Sequence, residues 1–324
     1  MGGRDKDMSG DKYDDKFLAV INPTANNGRA GKNWPEISNR LEKRGLKFKE
    51  EFTRYPGHAD EITRYHLENG CRTVMAVGGD GTFSEVAAGF FGDDGHINPE
   101  AAMRIYPLGS GCDLALYYDL KPGKKLADQL SRQGKERYLD VIEVKGSGFS
   151  KVPVRKEKWM AVNIVDIGAI AESLRKVHEK GKKKHTFRYV SSALFTALKY
   201  STIPLEVKVD NNKVFSGSAL DVFVANGPTM AGGFPLAPPA EPEDGLLDVI
   251  ILPELSRARL IRDFFKAYRG RHLRLPEIKY HQGERVDVAL YEGGPLEIDG
   301  DYVAELSEGK IRFEIKPGAI KLRI

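Results

Sequence analysis

The sequence predicts an α/β domain followed by a β-rich domain. Two patterns carry this. From residue 17 to about 117, short buried strand patterns alternate with amphipathic helical ones, which implies a parallel sheet covered on both faces. From residue 136 onward, strand-like runs follow one another and two helical patterns interrupt them, which suggests an antiparallel sandwich or barrel. A length of 324 residues fits one large or two medium domains. A cleft is expected where the two halves meet.

Each element has its own reason. Residues 1–15 are polar and charged, and a disordered tail is expected. FLAVINP (17–23) reads as a buried strand and GKNWPEISNRLEKRG (31–45) as a helix ending near Gly45. Strands at 47–53, 73–79 and 104–109 alternate with helices at 57–70, at 82–91 and from Cys112. In the second half, strands are expected within 136–144, 158–168, 204–227, 245–252, 285–290, 295–300 and 311–324. Asp210-Asn211-Asn212 reads as a hairpin turn. Helical patterns fall around 170–200 and 256–270.

Composition narrows the function classes. Fifty Lys and Arg against 46 Asp and Glu leave a net charge of +4, too small for a nucleic-acid binder driven by bulk charge. No apolar run approaches a membrane span, and the first residues have no signal-peptide core. Two cysteines, Cys71 and Cys112, exclude a disulfide scaffold and suggest a reducing, cytoplasmic setting.

Three turns carry chemistry. Gly78-Gly79-Asp80-Gly81-Thr82 follows a buried strand and opens a helix, where backbone N–H groups can meet a phosphate. Asp80 would repel that phosphate unless Mg²⁺ stands between them. Gly109-Ser110-Gly111-Cys112-Asp113 repeats the arrangement after the next strand, and Asn22-Pro23-Thr24-Ala25-Asn26-Asn27-Gly28 follows the first one. Each alone is also what a tight structural turn looks like. Three after three strands of one sheet converge at one edge, where α/β sheets bind ligands. The spacing is neither that of a P-loop nor that of a dinucleotide fingerprint.

Together, GGDGTFSEV (78–86), NPTANNG (22–28), GSGCDLA (109–115), VANGPTMAGGFPLAPPAEPEDGLLDVIIL (224–252) and LEIDGDYV (296–303) resemble the diacylglycerol kinase catalytic family, which includes bacterial lipid kinases and sphingosine and ceramide kinases. The matches keep the family's order from Asn22 to Asp301. The resemblance implies a Rossmann-like ATP-binding domain over 16–135, to which 306–324 returns. It implies an antiparallel β-sandwich lipid-substrate domain over 136–305. ATP contacts are implied for Asn22, Pro23, Thr24, Ala25, Asn26 and Thr53, for Gly79, Asp80, Gly81, Thr82 and Glu85, and for Gly109, Ser110 and Gly111. Asp299 is implied as general base on the lipid hydroxyl, with Asp80 and Asp301 beside it in catalysis. Asp113 is implied in the Mg²⁺ network, and Glu241, Asp244 and Leu246 at a structural Mg²⁺. Two positions depart from the family: Cys112 stands for Asn, which loses an amide donor and acceptor, and Asp301 stands for Glu, one methylene shorter.

A lipid kinase must dock on a bilayer. Lys176–Arg188 has a strong local excess of positive charge, and SRARLIRDFFKAYRGRHLR (256–274) is basic with Leu260, Ile261, Phe264, Phe265 and Tyr268 at helical spacing. Such a helix also suits core packing with a solvated basic face. The expected protein is a peripheral, ATP- and Mg²⁺-dependent lipid kinase; its partner is a lipid at a membrane surface, not a nucleic acid. The sequence allows a homodimer. Two other readings stay open here: an NAD kinase-like soluble kinase, and a degenerate lipid- or nucleotide-binding protein.

Overall fold

The computed structural model describes residues 17–324, apart from 94, 132–133, 148, 151–157 and 180–197. The tail at 1–15, the side chains of the basic run beyond Lys176 and most of the helical pattern up to 200 lie outside the described residues.

The first half runs β1 (Phe17–Ile21), α1 (Arg29–Glu42), β2 (Phe48–Phe52), α2 (His58–Glu68), β3 (Thr73–Gly78), α3 (Asp80–Ala88), a two-residue pair β4 (Phe91–Gly92) and β5 (Gly95–His96), β6 (Ala102–Pro107), α4 (Asp113–Tyr117) and α5 (Lys124–Leu130). Strands β2, β1, β3 and β6 lie side by side and parallel, in that order. Every residue of β1 is buried, as its unbroken apolar run requires. Ile21 pairs with Val77, and Gly78 with Pro107. The ends of β1, β3 and β6 are therefore level, and the three glycine-containing turns leave the sheet together.

The second half runs β7 (Glu136–Gly146), β8 (Phe149–Ser150), β9 (Lys158–Ala161), β10 (Ile164–Gly168), α6 (Ala169–Glu179), β11 (Ile203–Val209), β12 (Asn212–Ala225), β13 (Leu247–Pro253), α7 (Arg257–Tyr268), a 3₁₀ turn (His272–Arg274), β14 (Lys279–Gly283), β15 (Arg285–Leu290), β16 (Gly294–Ile298), β17 (Asp301–Leu306) and β18 (Gly309–Arg323). Neighbouring strands here are antiparallel. Asp210 and Asn211 both take positive φ, 47° and 69°, at the hairpin joining β11 and β12. Asx residues tolerate that region best after glycine.

Alternation along the strands builds two apolar layers. Val165, Ile167, Val222, Val224, Leu296 and Ile298 face one core, while Ile164, Phe223, Ala225 and Ile250 face a smaller one with Met230 and Leu236. The halves share one continuous sheet because β18 belongs to both. It pairs antiparallel with β15 and β7, then parallel with β6 through Lys321 and Leu322. An irregularity between Lys316 and Ile320 bends it. Buried Asp140 accepts Gly318 N at 2.6 Å and Gly245 N at 2.7 Å, which pins that bend.

Candidate active site

The level strand ends open onto a cleft of about 350 Å³ between the halves. Its first wall is Asn22, Thr24–Asn27, Gly79–Thr82 and Gly109–Gly111; its second is Asn163, Ile164, Met230, Ala231 and the 297–301 turn. Asn22 ties two turns together: its Nδ2 donates to Thr82 Oγ1 at 3.1 Å, while its Oδ1 accepts Thr24 Oγ1 at 2.8 Å. Gly78 O accepts Leu108 N and Gly109 N at 2.7 and 2.8 Å. The glycines are needed for this close approach. A Cβ on Gly109 would run into Gly79 Cα, and one on Gly78 would sit 2.7 Å from Thr82 Cβ. Helix α3 starts at Asp80, so its first N–H groups, which have no partner within the helix, lie at the cleft.

Carboxylates dominate the rest. Asp80 Oδ2 and Oδ1 accept Asp113 N and Leu114 N at 2.9 and 3.1 Å, capping α4. Asp113 reaches across the cleft, accepting Gly232 N and Gly233 N at 2.7 Å each. Asp299 is 6% exposed. Its Oδ1 accepts Asn163 N and Ile164 N at 3.0 and 2.7 Å; its Oδ2 accepts Val162 N at 2.8 Å and the Ser84 hydroxyl. Burial, with the Asp113 charge beside it, pushes Asp80 up to about 7. Burial likewise pushes Asp299 up to about 7, against the pull of the Ser84 hydroxyl and its backbone donors. Glu297 accepts Gly300 N and lies buried beside the Asp166 carboxyl. Asp301 lies with its carboxylate against Gly81.

An apolar cavity of about 150 Å³ adjoins the cleft. Its walls include Leu220, Phe223, Phe234, Leu260 and Phe264. Met230 and Ala231 line both spaces.

Known proteins match both halves. Residues 16–144 match the diacylglycerol kinase catalytic domain, and residues 163–324 the YegS C-terminal NAD kinase beta sandwich-like domain. The chain belongs to the diacylglycerol kinase family. Diacylglycerol kinases of Bacillus subtilis and Staphylococcus carnosus are 26% and 23% identical to it over 290 and 288 residues. Those matches cover 87% and 89% of this chain, and 88% and 89% of the relatives. A diacylglycerol kinase structure from Bacillus anthracis str. Sterne, 18% identical, shares the fold with a TM-score of 0.65 over 96% of this chain and 97% of that one. This family member is accordingly a kinase acting on a lipid.

The kinase brings most of the expected residues into the cleft: Asn22, Thr24, Ala25, Asn26, Gly79–Thr82, Gly109–Gly111, Asp113, Asp299 and Asp301 all line it. Pro23, Thr53 and Glu85 are not among its lining residues. Thr53 closes the outer strand β2, its N–H donating to Ile21 O at 2.9 Å. Glu85 is not at the cleft and accepts Gly57 N and Ala59 N at 2.7 and 3.2 Å, holding the start of α2. Glu241, Asp244 and Leu246 also lie outside the cleft, in the loop before β13. There Glu241 O accepts Glu243 N and Asp244 N at 2.8 and 3.3 Å, and Asp244 Oδ1 accepts Leu246 N at 2.9 Å. Cys112 keeps both functions of an amide: Sγ accepts Gly109 N at 3.2 Å and donates to Gly78 O at 3.4 Å.

The sequence reading missed Asn163, Met230, Ala231 and Glu297 as lining residues. Glu297 stands two residues before Asp299 on the same strand-and-turn run, and that period-2 step was the available signal. Met230 and Ala231 sit in the 224–252 segment that carried the resemblance but had no role assigned, and Asn163 had no motif beyond the apolar run around it.

Proposed function

We propose that this kinase transfers the γ-phosphoryl group of Mg-ATP to a lipid hydroxyl, with diacylglycerol as the default acceptor and a sphingoid or ceramide lipid as the other candidate. One observation carries the nucleotide and metal. Among the described residues, the cleft is lined by Asp80, Asp113, Glu297, Asp299 and Asp301, and by no Lys, Arg or His. A triphosphate entering such a site needs a cation to offset the repulsion, and a hard divalent ion suits oxygen ligands. The residues therefore fit the group: Asp80 and Asp113 would hold Mg²⁺, which supplies charge neutralisation on the phosphates. Asn22–Asn26 would position the nucleotide, and Gly79–Thr82 and Ser110 would donate to its phosphates. The adjoining apolar cavity would take acyl chain, since its walls carry almost no polar surface.

The acceptor hydroxyl loses its proton as its oxygen bonds to phosphorus and ADP leaves. Asp299 is the group proposed to take that proton. At about 7 its carboxylate is basic enough to do so at neutral pH. Its four donors favour a second reading, in which Asp299 holds the turn rigid and Asp301, against Gly81, receives the proton. The loop at Glu241, Asp244 and Leu246 would hold a second, structural Mg²⁺. Support comes from buried Asp248 nearby, raised to about 6 by burial and by the charges of Asp244 and Glu241, with no donor to Oδ2 among the described residues.

Transfer of labelled γ-phosphate to diacylglycerol, sphingosine and ceramide in detergent micelles tests the reading, with NAD as soluble control. A lipid product that disappears with EDTA is expected. Labelled NAD without labelled lipid would overturn it. Asp299→Asn and Asp301→Asn separate the two bases: the true base loses turnover about 10²–10⁴-fold.

A further inference from the structure

Helix α7 is built inside out for a surface helix. Its one buried residue is Asp263. Leu260, Phe264 and Ala267 form the inner stripe, over the apolar cavity. Ala258, Ile261, Phe265 and Tyr268, at spacings of three and four, share a second stripe that points to solvent. Ile261 is 52% exposed, Phe265 66% and Tyr268 56%. Such residues on adjoining turns form a contiguous apolar patch rather than scattered exposure. The segment is basic: Arg257, Arg259, Arg262, Lys266, Arg269, Arg271 and Arg274 lie within 257–274, where Asp263 is the sole acid, and helical spacing puts Arg257 on one side of the stripe and Arg262 and Arg269 on the other. Asp263 pairs with Arg262 and Lys266 at 2.6 and 2.9 Å, on the flank next to the inner stripe. Among the described residues no helix is long and apolar enough to cross a membrane.

We infer that the outer stripe of α7, with its basic border, is the face by which this kinase lies on an anionic bilayer. The proposal rests on the reading of the acceptor as a bilayer lipid and adds where that lipid enters. An apolar stripe with cationic flanks matches the boundary between acyl chains and acidic headgroups. The same helix has its inner stripe on the cavity. That cavity meets the polar cleft at Met230 and Ala231. A lipid passing under α7 would leave its chain in the cavity and bring its hydroxyl toward Asp299 and Asp301, without crossing water. The positive charge answers to acidic headgroups fixed in a surface. A second copy of this chain would bring the same positive charge to the contact.

The test is flotation of the full chain with vesicles of phosphatidylcholine, with or without phosphatidylglycerol. Partition onto phosphatidylglycerol vesicles that weakens with salt is expected. Ile261→Ser combined with Phe265→Ser should lower it at least tenfold. Arg269→Gln combined with Arg271→Gln should lower it and flatten the salt dependence. Both variants should phosphorylate dihexanoylglycerol dissolved in buffer at the wild-type rate, because neither pair lines the cleft or the cavity. Vesicle binding by either variant equal to wild type would overturn the proposal. So would an equal fall on vesicle-borne and dissolved acceptor, or a wild-type dimer that the serine variant splits while vesicle binding is unchanged. Failure of the lipid-kinase reading is separate: the wild type would label no lipid in micelles, while vesicle partition would still read the docking face.

Discussion

Gly109 is the residue on which the two glycine-rich turns depend. A side chain there would collide with Gly79 Cα and come within 2.9 Å of Cys112 Sγ. Gly109→Ala should cost about 1–3 kcal/mol by overpacking. It should also remove lipid phosphorylation, since both turns must shift; a melting curve and the labelled-phosphate assay check this together. Cys112 is 6% exposed, and burial pushes its thiol well above the usual range. Iodoacetamide at pH 8 should leave Cys112 unmodified in the native protein and label it after denaturation, read by peptide mass spectrometry. The turns themselves were legible in the sequence, because glycine between a buried strand and a helix has few other uses. The partners of the acids were not. Glu85 and Asp113 look the same in a short motif whether they face a metal or a backbone N–H. Only the fold shows that Asp113 meets Gly232 and Gly233, and that Glu85 meets Gly57.

At the scale of elements, β10, β12 and β16 bury three acids in one row. Asp166 is the register partner of Glu297, and Gly168 that of Asp221. Asp166 and Asp221 accept Ala171 N and Ile170 N, at 3.1 and 2.9 Å, at the start of α6. Burial raises all three carboxyls well above the ordinary range, with the neighbouring acid's charge adding to Asp166 and Glu297. In the unfolded chain they ionise near pH 4; in the folded one they hold their protons to higher pH. The folded state thus binds more protons, and stability falls as pH rises from about 4 toward the folded values. The melting temperature should be higher at pH 5 than at pH 8, and Glu297→Gln, which still accepts Gly300 N, should flatten that slope. Strand positions here were readable from apolar alternation, but acids inside the pattern were not readable as buried, since an acid between apolar residues usually marks a solvent face. Helix α5 escaped notice because seven residues are too few to show a period. Helix α7 showed its period plainly; with apolar residues on two stripes, the sequence could not say which one faces inward.

At the scale of the molecule, β18 makes one cooperative unit out of two differently built halves. A calorimetric scan should show one transition. Asp140→Ala removes the acceptor for both Gly245 N and Gly318 N, each contact to a charged group contributing about 1.5–3 kcal/mol. It should lower that one transition; a second, separate transition in the wild type would count against the coupling. Both halves could be sketched from the sequence, one from its strand–helix alternation and the other from its runs of strands. Their joining came only from the family resemblance, which implied the return of 306–324; pairing between Lys321 and Ala102 spans more of the chain than any periodicity can report. This has a consequence for synthesis. The ribosome delivers β1, β2, β3 and β6 early, yet the outer edge of β6 finds its neighbour only after residue 323 has emerged. Until then the nascent chain carries an unpaired, buried-type strand edge, the kind of surface that invites mispairing between chains. Slow translation, or a shortage of chaperones, should therefore harm the yield of this kinase more than its final stability suggests.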